Sequence, residues 1–254
     1  MLTVNQLAGF GAGGTGLFTT GLQAHYDVGK AASYSGSGQN FLDLTSNSYD
    51  LYLGTGSGSD AADPTYNAGP PAYFSFDGSD YFTPQAAYSG SILRVAGQQG
   101  QEVSMEAWVY LPNSGACFIA GTTNGGVSST NGVAFEWDNT NQRINLLVGP
   151  LNSRTGTNST DISTGVWHQL GFEGTFDGSS GTFYVDGQAD GTWTANNSGW
   201  TTGDSASSFS LGAGAGNTPL SNTSRMAIFR AYDQKIGAAG FLQNFEFNRD
   251  RFGI

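Results

Sequence analysis

The stretch Phe135-Glu136-Trp137-Asp138-Asn139-Thr140-Asn141 comes nearest to carrying chemistry. Side chains alternate along an extended strand, so Glu136 and Asp138 share one face. Glycoside hydrolysis needs two carboxyl groups about one bond, one to attack or activate water and one to give up a proton. The rest of the chain supplies no comparable set. His25 and His168 belong to different strands, and no serine stands at a strand–turn–helix elbow that would expose a nucleophile. Cys117 lies in the apolar run Ala116-Cys117-Phe118-Ile119-Ala120, where a buried thiol is inert. No Cys/His cluster has zinc spacing. The glycines of GFGAGGTG do not sit between a strand and a helix, as a phosphate-cradling loop requires.

Binding residues are easier to find than catalytic ones. Alternation allows Glu106, Trp108, Glu136, Trp167, Gln169 and Glu173 to share one sheet surface, with Trp193 and Trp200 at its rim. Flat aromatics beside acceptors suit sugar rings, which present CH faces and hydroxyl donors. Against this, tryptophans of a β-sandwich usually fill its core. No cofactor is required, with calcium as the one alternative. Its candidate ligands are the loop aspartates Asp77, Asp80, Asp138 and Asp186, since hard cations take several oxygens. Each of these also serves as a turn former.

The elements that must position these residues are strands. The 254 residues include 39 glycines, only two lysines (Lys30 and Lys235), and 11% charged against 13% aromatic residues. This composition describes short strands joined by polar turns around an aromatic core. The central feature is Val166 to Gln188. His168, Leu170 and Phe172 alternate with Gln169, Gly171 and Glu173; Asp177 to Gly181 makes a turn; Phe183, Tyr184 and Val185 are strong strand formers; and Asp186-Gly187 makes a second tight turn. A second long strand, Glu102 to Leu111, places Val103, Met105, Ala107 and Val109 on one face. Its other face, Glu102, Ser104, Glu106, Trp108 and Tyr110, is richer in polar and aromatic groups than plain solvent exposure needs. Further strands are expected at 22–28, 72–77, 116–122, 133–138, 142–149, 181–186, 190–194, 207–212 and 225–232, with 30–71 mostly loop. The end changes period: Ala238, Phe241, Leu242 and Phe245 follow helical spacing, which predicts a helix over 236–249.

Residues 1–20 carry no charge, and their five glycines between Gly9 and Gly16 disfavour helix and strand alike. Leu2, Val4, Leu7, Phe10, Leu17 and Phe18 make this segment a poor solvated tail. It is expected to be an attachment arm that orders against a partner surface or a sister subunit, ahead of one domain over 21–254. The net charge of −11 repels nucleic-acid phosphates and anionic membranes, so neither is expected as a partner. No charged leader region precedes Lys30, and no apolar run approaches the ~20 residues of a membrane span.

The order Trp-His, strand, Tyr-Val-Asp-Gly at 167–187, with Phe76-Asp77-Gly78 separated from Tyr81 by two residues, resembles the laminin-G-like branch of the concanavalin A-like jelly rolls. That resemblance implies an all-β, two-sheet antiparallel jelly-roll sandwich with an extended N-terminal arm and a short C-terminal helix. Glycoside hydrolases of this fold carry a second Glu two or three residues beyond the first pair. Thr140 and Asn141 stand there, so the general acid is missing and no enzyme is expected. The block 226–254 is similar to the tail of laminin-G-like domains in bacteriophage virion proteins, through Tyr232, Asp233, Gln243, Asn244, Phe245, Arg251, Phe252 and Gly253. It implies a non-enzymatic virion structural protein, decorating a capsid or associated with a tail or fibre. The protein would be made in the host cytoplasm, displayed on the virion surface, partnered by other virion proteins and by its own copies, and able to bind glycans. The rival expectations are a stand-alone carbohydrate-binding lectin and a degenerate glycoside hydrolase.

Overall fold

The computed structural model describes residues 16–254 apart from 97, 99, 114, 123–131, 149–152, 177–179, 195–208, 215–218 and 222. In chain order its strands are β1 (Leu22–Asp27), β2 (Asn40–Phe41), β3 (Leu51–Leu53), β4 (Thr65–Asn67), β5 (Tyr73–Ser75), β6 (Phe82–Pro84), β7 (Glu102–Tyr110), β8 (Cys117–Gly121), β9 (Val133–Asp138), β10 (Arg143–Val148), β11 (Ser153–Thr157), β12 (Trp167–Thr175), β13 (Ser180–Val185), β14 (Gln188–Thr194), β15 (Ser210–Leu211) and β16 (Arg225–Tyr232). Two helices complete the chain, α1 (Ile92–Val95) and α2 (Gly237–Phe252). All pairings are antiparallel and form two sheets. Sheet A runs β14-β13-β12-β7-β16-β5-β4, with β1 on the same edge of β16 as β5; sheet B runs β11-β10-β9-β8-β15-β6-β3-β2.

The two-sheet jelly-roll sandwich that the resemblance implied is therefore present. Val103, Met105, Ala107, Val109, Leu170 and Phe172 of sheet A face Phe135, Trp137, Ile144 and Leu146 of sheet B in one continuous core. Phe135 and Phe172 meet edge to face across it, 5.3 Å between ring centroids. Cys117 is buried there as expected, and burial pushes its thiol up to about 11. The segment 30–71 is less irregular than its Gly/Ser content suggests. It holds three short strands: Phe41, Leu51 and Leu53 bury in the core so that β2 pairs with β3 and β3 with β6, while β4 pairs with β5. The strand expected at 207–212 is seen only as Ser210–Leu211, part of that range lying outside the described residues.

The helix begins one residue later than predicted and runs three further, to Phe252, where Gly253 takes φ 74° and caps it. It lies across the outer face of sheet A. Phe252 and Phe245 stack on Trp108, with centroids 4.2 and 5.7 Å apart, and Phe241 stacks on Tyr184 at 3.9 Å. Gly171 is required beneath the helix, since a Cβ there would come within 2.5 Å of Phe241 and 2.8 Å of the Met105 carbonyl oxygen. The polar and aromatic second face of β7 is thus explained: it is a second core, formed with the helix.

The tail residues singled out in the sequence lock this helix down. The Asn244 amide nitrogen donates to Tyr232 Oη (2.9 Å) and to Glu106 Oε1 (3.1 Å), and Arg251 pairs with Asp27 at 2.6 Å. The end of the N-terminal arm takes part as well. Phe18 packs on Tyr184, Tyr232, Ile236 and Phe241, its N–H donates to Asn244 Oδ1 (2.9 Å), and Gln243 donates to the Gly16 carbonyl (2.8 Å). The domain therefore reaches back at least to Gly16. The boundary expected at 20/21 cuts through this contact, so the part of the arm bearing Leu17 and Phe18 belongs to the folded unit. Leu2, Val4, Leu7 and Phe10 lie outside the described residues.

Candidate functional site

The outer face of sheet B carries a polar array. Four turn residues join β9 to β10, so Asp138 pairs with Arg143 and Glu136 with Asn145. Because alternate residues share a face, Glu136, Asp138, Arg143 and Asn145 all point outward, and Thr157 joins them opposite Asn145. Asp138, Arg143, Asn145 and Thr157, with Thr140, Asn141 and Asp161, line a groove of about 660 Å³, with Glu136 buried beside it. Asn145 donates to Glu136 Oε2 (3.0 Å); Arg143 pairs with Asp161 (2.7 Å) and donates to the Asn158 carbonyl (2.7 Å). Phe118, Ala134 and Leu147 form a small apolar cluster on the same face.

Glu136 and Asp138 do share a face, as alternation required. Asp138 accepts from the N–H of Thr140 (3.0 Å) and from the Asn141 side chain (2.8 Å), so its carboxylate organises the turn. Thr140 and Asn141 occupy that turn and supply no acid. Arg143, Asn145, Thr157 and Asp161 were missed in the sequence. The turn length after Asp138 fixes the register that places two of them, and no local signal marks the others.

The single sugar-binding surface proposed from alternation does not form. Glu136 is on sheet B, whereas Glu106, Trp108, Trp167, Gln169 and Glu173 are on sheet A beneath α2. Trp108 and Trp167 meet Phe252, Gln169 donates to Glu106 Oε2 (2.7 Å), and Glu173 accepts from Tyr184 (2.7 Å) and from the Gly237 N–H (2.7 Å). Trp193 points inward and packs on Phe176, at 1% exposure. Trp200 lies outside the described residues. The physical reason is the helix: its apolar stripe needs a flat aromatic surface, and this face supplies it.

His168 is held on both sides. Its Nδ1 lies 2.7 Å from Asp186 Oδ2, and its Nε2 lies 2.9 Å from Ser163 Oγ and 3.1 Å from the Ser163 carbonyl oxygen. Asp186 also accepts from the Gln169 N–H (2.9 Å) and takes φ 49° before Gly187 at φ 75°, a tight hairpin turn. The order serine, imidazole, carboxylate is that of a hydrolytic triad. The carbonyl competes with the hydroxyl for Nε2, however, and the nearby Gly165 N–H is already donated to the Leu111 carbonyl. The array ties the loop before β12 to the β13–β14 turn.

The four aspartates proposed for calcium are dispersed. Asp77 and Asp80 share one turn, Asp138 is on sheet B, and Asp186 is beside His168. Among the described residues no group of three or more His, Cys, Asp or Glu is placed to hold a metal ion. Asp80 accepts from the Asp77 N–H (2.8 Å), and burial, with Asp77 and Asp63 nearby, pushes its carboxyl up to about 6. A carboxylate raised in the folded state contributes stability present below the unfolded value and lost as pH rises through about 6. Asp80→Asn keeps the acceptor and removes the charge. It is expected to raise stability at pH 7.5 by on the order of 2 kcal/mol, and to be neutral at pH 4; thermal melts at the two pH values check this.

Two antiparallel sheets in jelly-roll order, one capped by a helix and one presenting a groove, define the class of protein. The sequence model of the concanavalin A-like lectin/glucanases superfamily matches residues 77–239, and the chain belongs to that family. No curated protein matches the sequence. Domain 4 of AbnA, a GH43 extracellular arabinanase from Geobacillus stearothermophilus solved with arabinotriose, is similar with a TM-score of 0.60 and 15% identity over 88% of this chain and 97% of that one. Trypanosoma rangeli sialidase, in complex with the inhibitor DANA, gives 0.56 and 16% identity over 94% of this chain and 34% of the sialidase. The botulinum neurotoxin serotype D binding domain gives 0.57 and 12% over 89% of this chain and 50% of that one. At these identities the likeness is one of fold.

Proposed function

We propose that this chain is a non-enzymatic glycan-binding jelly roll that serves as a structural protein of a bacteriophage particle, on its capsid or tail. The observation that carries the glycan reading is the groove on sheet B. Carboxylates, amides, a guanidinium and hydroxyls converge there beside a small apolar cluster, the mixture that sugar hydroxyls and CH faces require. The absence of a second acid at Thr140 and Asn141 supports binding without hydrolysis. The virion reading rests on the tail from 226 to 254, whose matching residues clamp the helix and the arm.

The arabinanase domain was solved with arabinotriose, which makes arabino-oligosaccharides the first probes. A glycan array followed by titration is expected to give binding that Arg143→Ala and Asn145→Ala each weaken about tenfold, the scale of one hydrogen bond to a charged group. Binding that survives both changes would move the site elsewhere. A map of assembled particles, or their proteome, tests the virion assignment.

A further inference from the structure

Arg225 is the half-buried first residue of β16, inside sheet A. Register places it in a row that crosses five strands: Thr65 opposite Ser75, Ser75 opposite Arg225, Arg225 opposite Tyr110, and Tyr110 opposite Trp167. Its guanidinium lies 4.3 Å from the ring centre of Tyr110 and 4.9 Å from that of Tyr73. Tyr73 and Tyr110 in turn meet Trp167 edge-on, at 5.8 and 6.1 Å, so the platform is anchored in the second core.

Two observations mark this arginine. Arg143, Arg230, Arg249 and Arg251 each pair with a carboxylate, in a chain with twenty acids to nine bases. Among the described residues Arg225 makes no ion pair or hydrogen bond, and its guanidinium is engaged only by the Tyr73 and Tyr110 rings. Arg225 lines a cavity of about 380 Å³ together with Tyr73, Thr65, Ser75, Thr223, Asp77 and Asp80. That volume suits a single sugar ring.

We propose that this cavity binds a carboxylated sugar residue, a uronate or a sialate. A guanidinium held flat by two rings offers parallel N–H donors that match a carboxylate. With two carboxylates to one guanidinium the cavity has no net positive charge, so a single carboxylate is selected by the paired N–H donors, and a dianion such as phosphate is disfavoured by Asp77 and Asp80. The aspartates accept from sugar hydroxyls, the Thr65, Ser75 and Thr223 hydroxyls complete the polar wall, and Tyr73 meets a CH face. The site is on the opposite sheet from the Arg143 groove, so each can fail without the other.

Titrations of the full chain by NMR would compare methyl glucuronide, galacturonate and N-acetylneuraminate with glucose, galactose and inorganic phosphate. At least one carboxylated sugar is expected to bind ten times or more tighter than the neutral sugars and phosphate. Arg225→Lys keeps the charge but loses the paired donors, and is expected to weaken that binding about tenfold or more. Arg143→Ala should leave it unchanged. If Arg225→Lys melts early, Ser75→Ala serves as the second variant, with an expected loss of severalfold. Equal affinity for neutral and carboxylated sugars, tighter binding of phosphate, no binding of any of the six, or undiminished binding in the Arg225→Lys or Ser75→Ala protein would overturn the proposal.

Discussion

A chain ending at Lys235 is expected to be insoluble, or soluble only as a state without a cooperative melt. Removing α2 uncovers Trp108, Trp167, Ala227 and Ile228, and discards Phe241, Phe245 and Phe252, all buried against them. Burying one large apolar side chain is worth about 1.5–3 kcal/mol, so three aromatics give roughly 5–9 kcal/mol before the uncovered sheet is counted. Domains of this kind have only about 5–15 kcal/mol in all. The helix also takes with it Asn244, whose amide satisfies Glu106 and whose oxygen receives the Phe18 N–H. Solubility, near-ultraviolet circular dichroism and a melt of the truncated chain decide the matter. A soluble product that melts within a few degrees of the full chain would show that the two sheets are sufficient and that the helix is an appendage.

Arg230→Met is expected to lower stability by about 3–5 kcal/mol, the usual cost of leaving one charge of a buried pair alone. Arg230 and Glu106 are both fully buried under the helix and meet at 2.5 Å. Burial pushes the Glu106 carboxyl up from its ordinary value, while Arg230, Asn244 and Gln169 pull it back. Take away Arg230 and the desolvation remains with less to offset it. The neighbouring His25, held neutral by burial and by Arg230 and pushed down to about 2, shows how poorly this layer tolerates a further positive charge. The double variant Glu106→Leu with Arg230→Met removes both charges, and is expected to recover at least half of the loss. Denaturant unfolding of the wild type, both single variants and the double variant closes the cycle. A loss below about 1 kcal/mol for Arg230→Met would mean that water reaches the pair.

Much of this molecule follows from local spacing. The alternation in Glu102 to Tyr110 and Trp167 to Thr175 marks two long strands, Asp186-Gly187 marks the hairpin turn between β13 and β14, and the period change at Ala238 to Phe245 marks the helix. Each depends on a few neighbouring residues, and each is present in the structure at nearly the expected bounds. The shared face of Glu136 and Asp138 follows from the same period of two, whereas the register across the turn after Asp138, which brings Arg143 and Asn145 beside them, does not.

Tertiary structure alone decided which surface each face meets. Trp108, Trp167, Gln169 and Glu173 read equally well as a ligand platform or as a packing surface, because alternation says only that they share a side of a strand. The helix more than sixty residues further along the chain settles it by covering them. Glu136 has the same strand position but lies on the other sheet, a separation set by strand order, which no local pattern encodes. Arg225 carries the opposite lesson. One basic residue before Met226 has no distinctive sequence context, and only the pairing of β16 with β5 and β7 brings Tyr73, Ser75 and Tyr110 around it. Periodicity is a property of neighbours along the chain, whereas a site is a property of residues that folding brings together from distant parts of it.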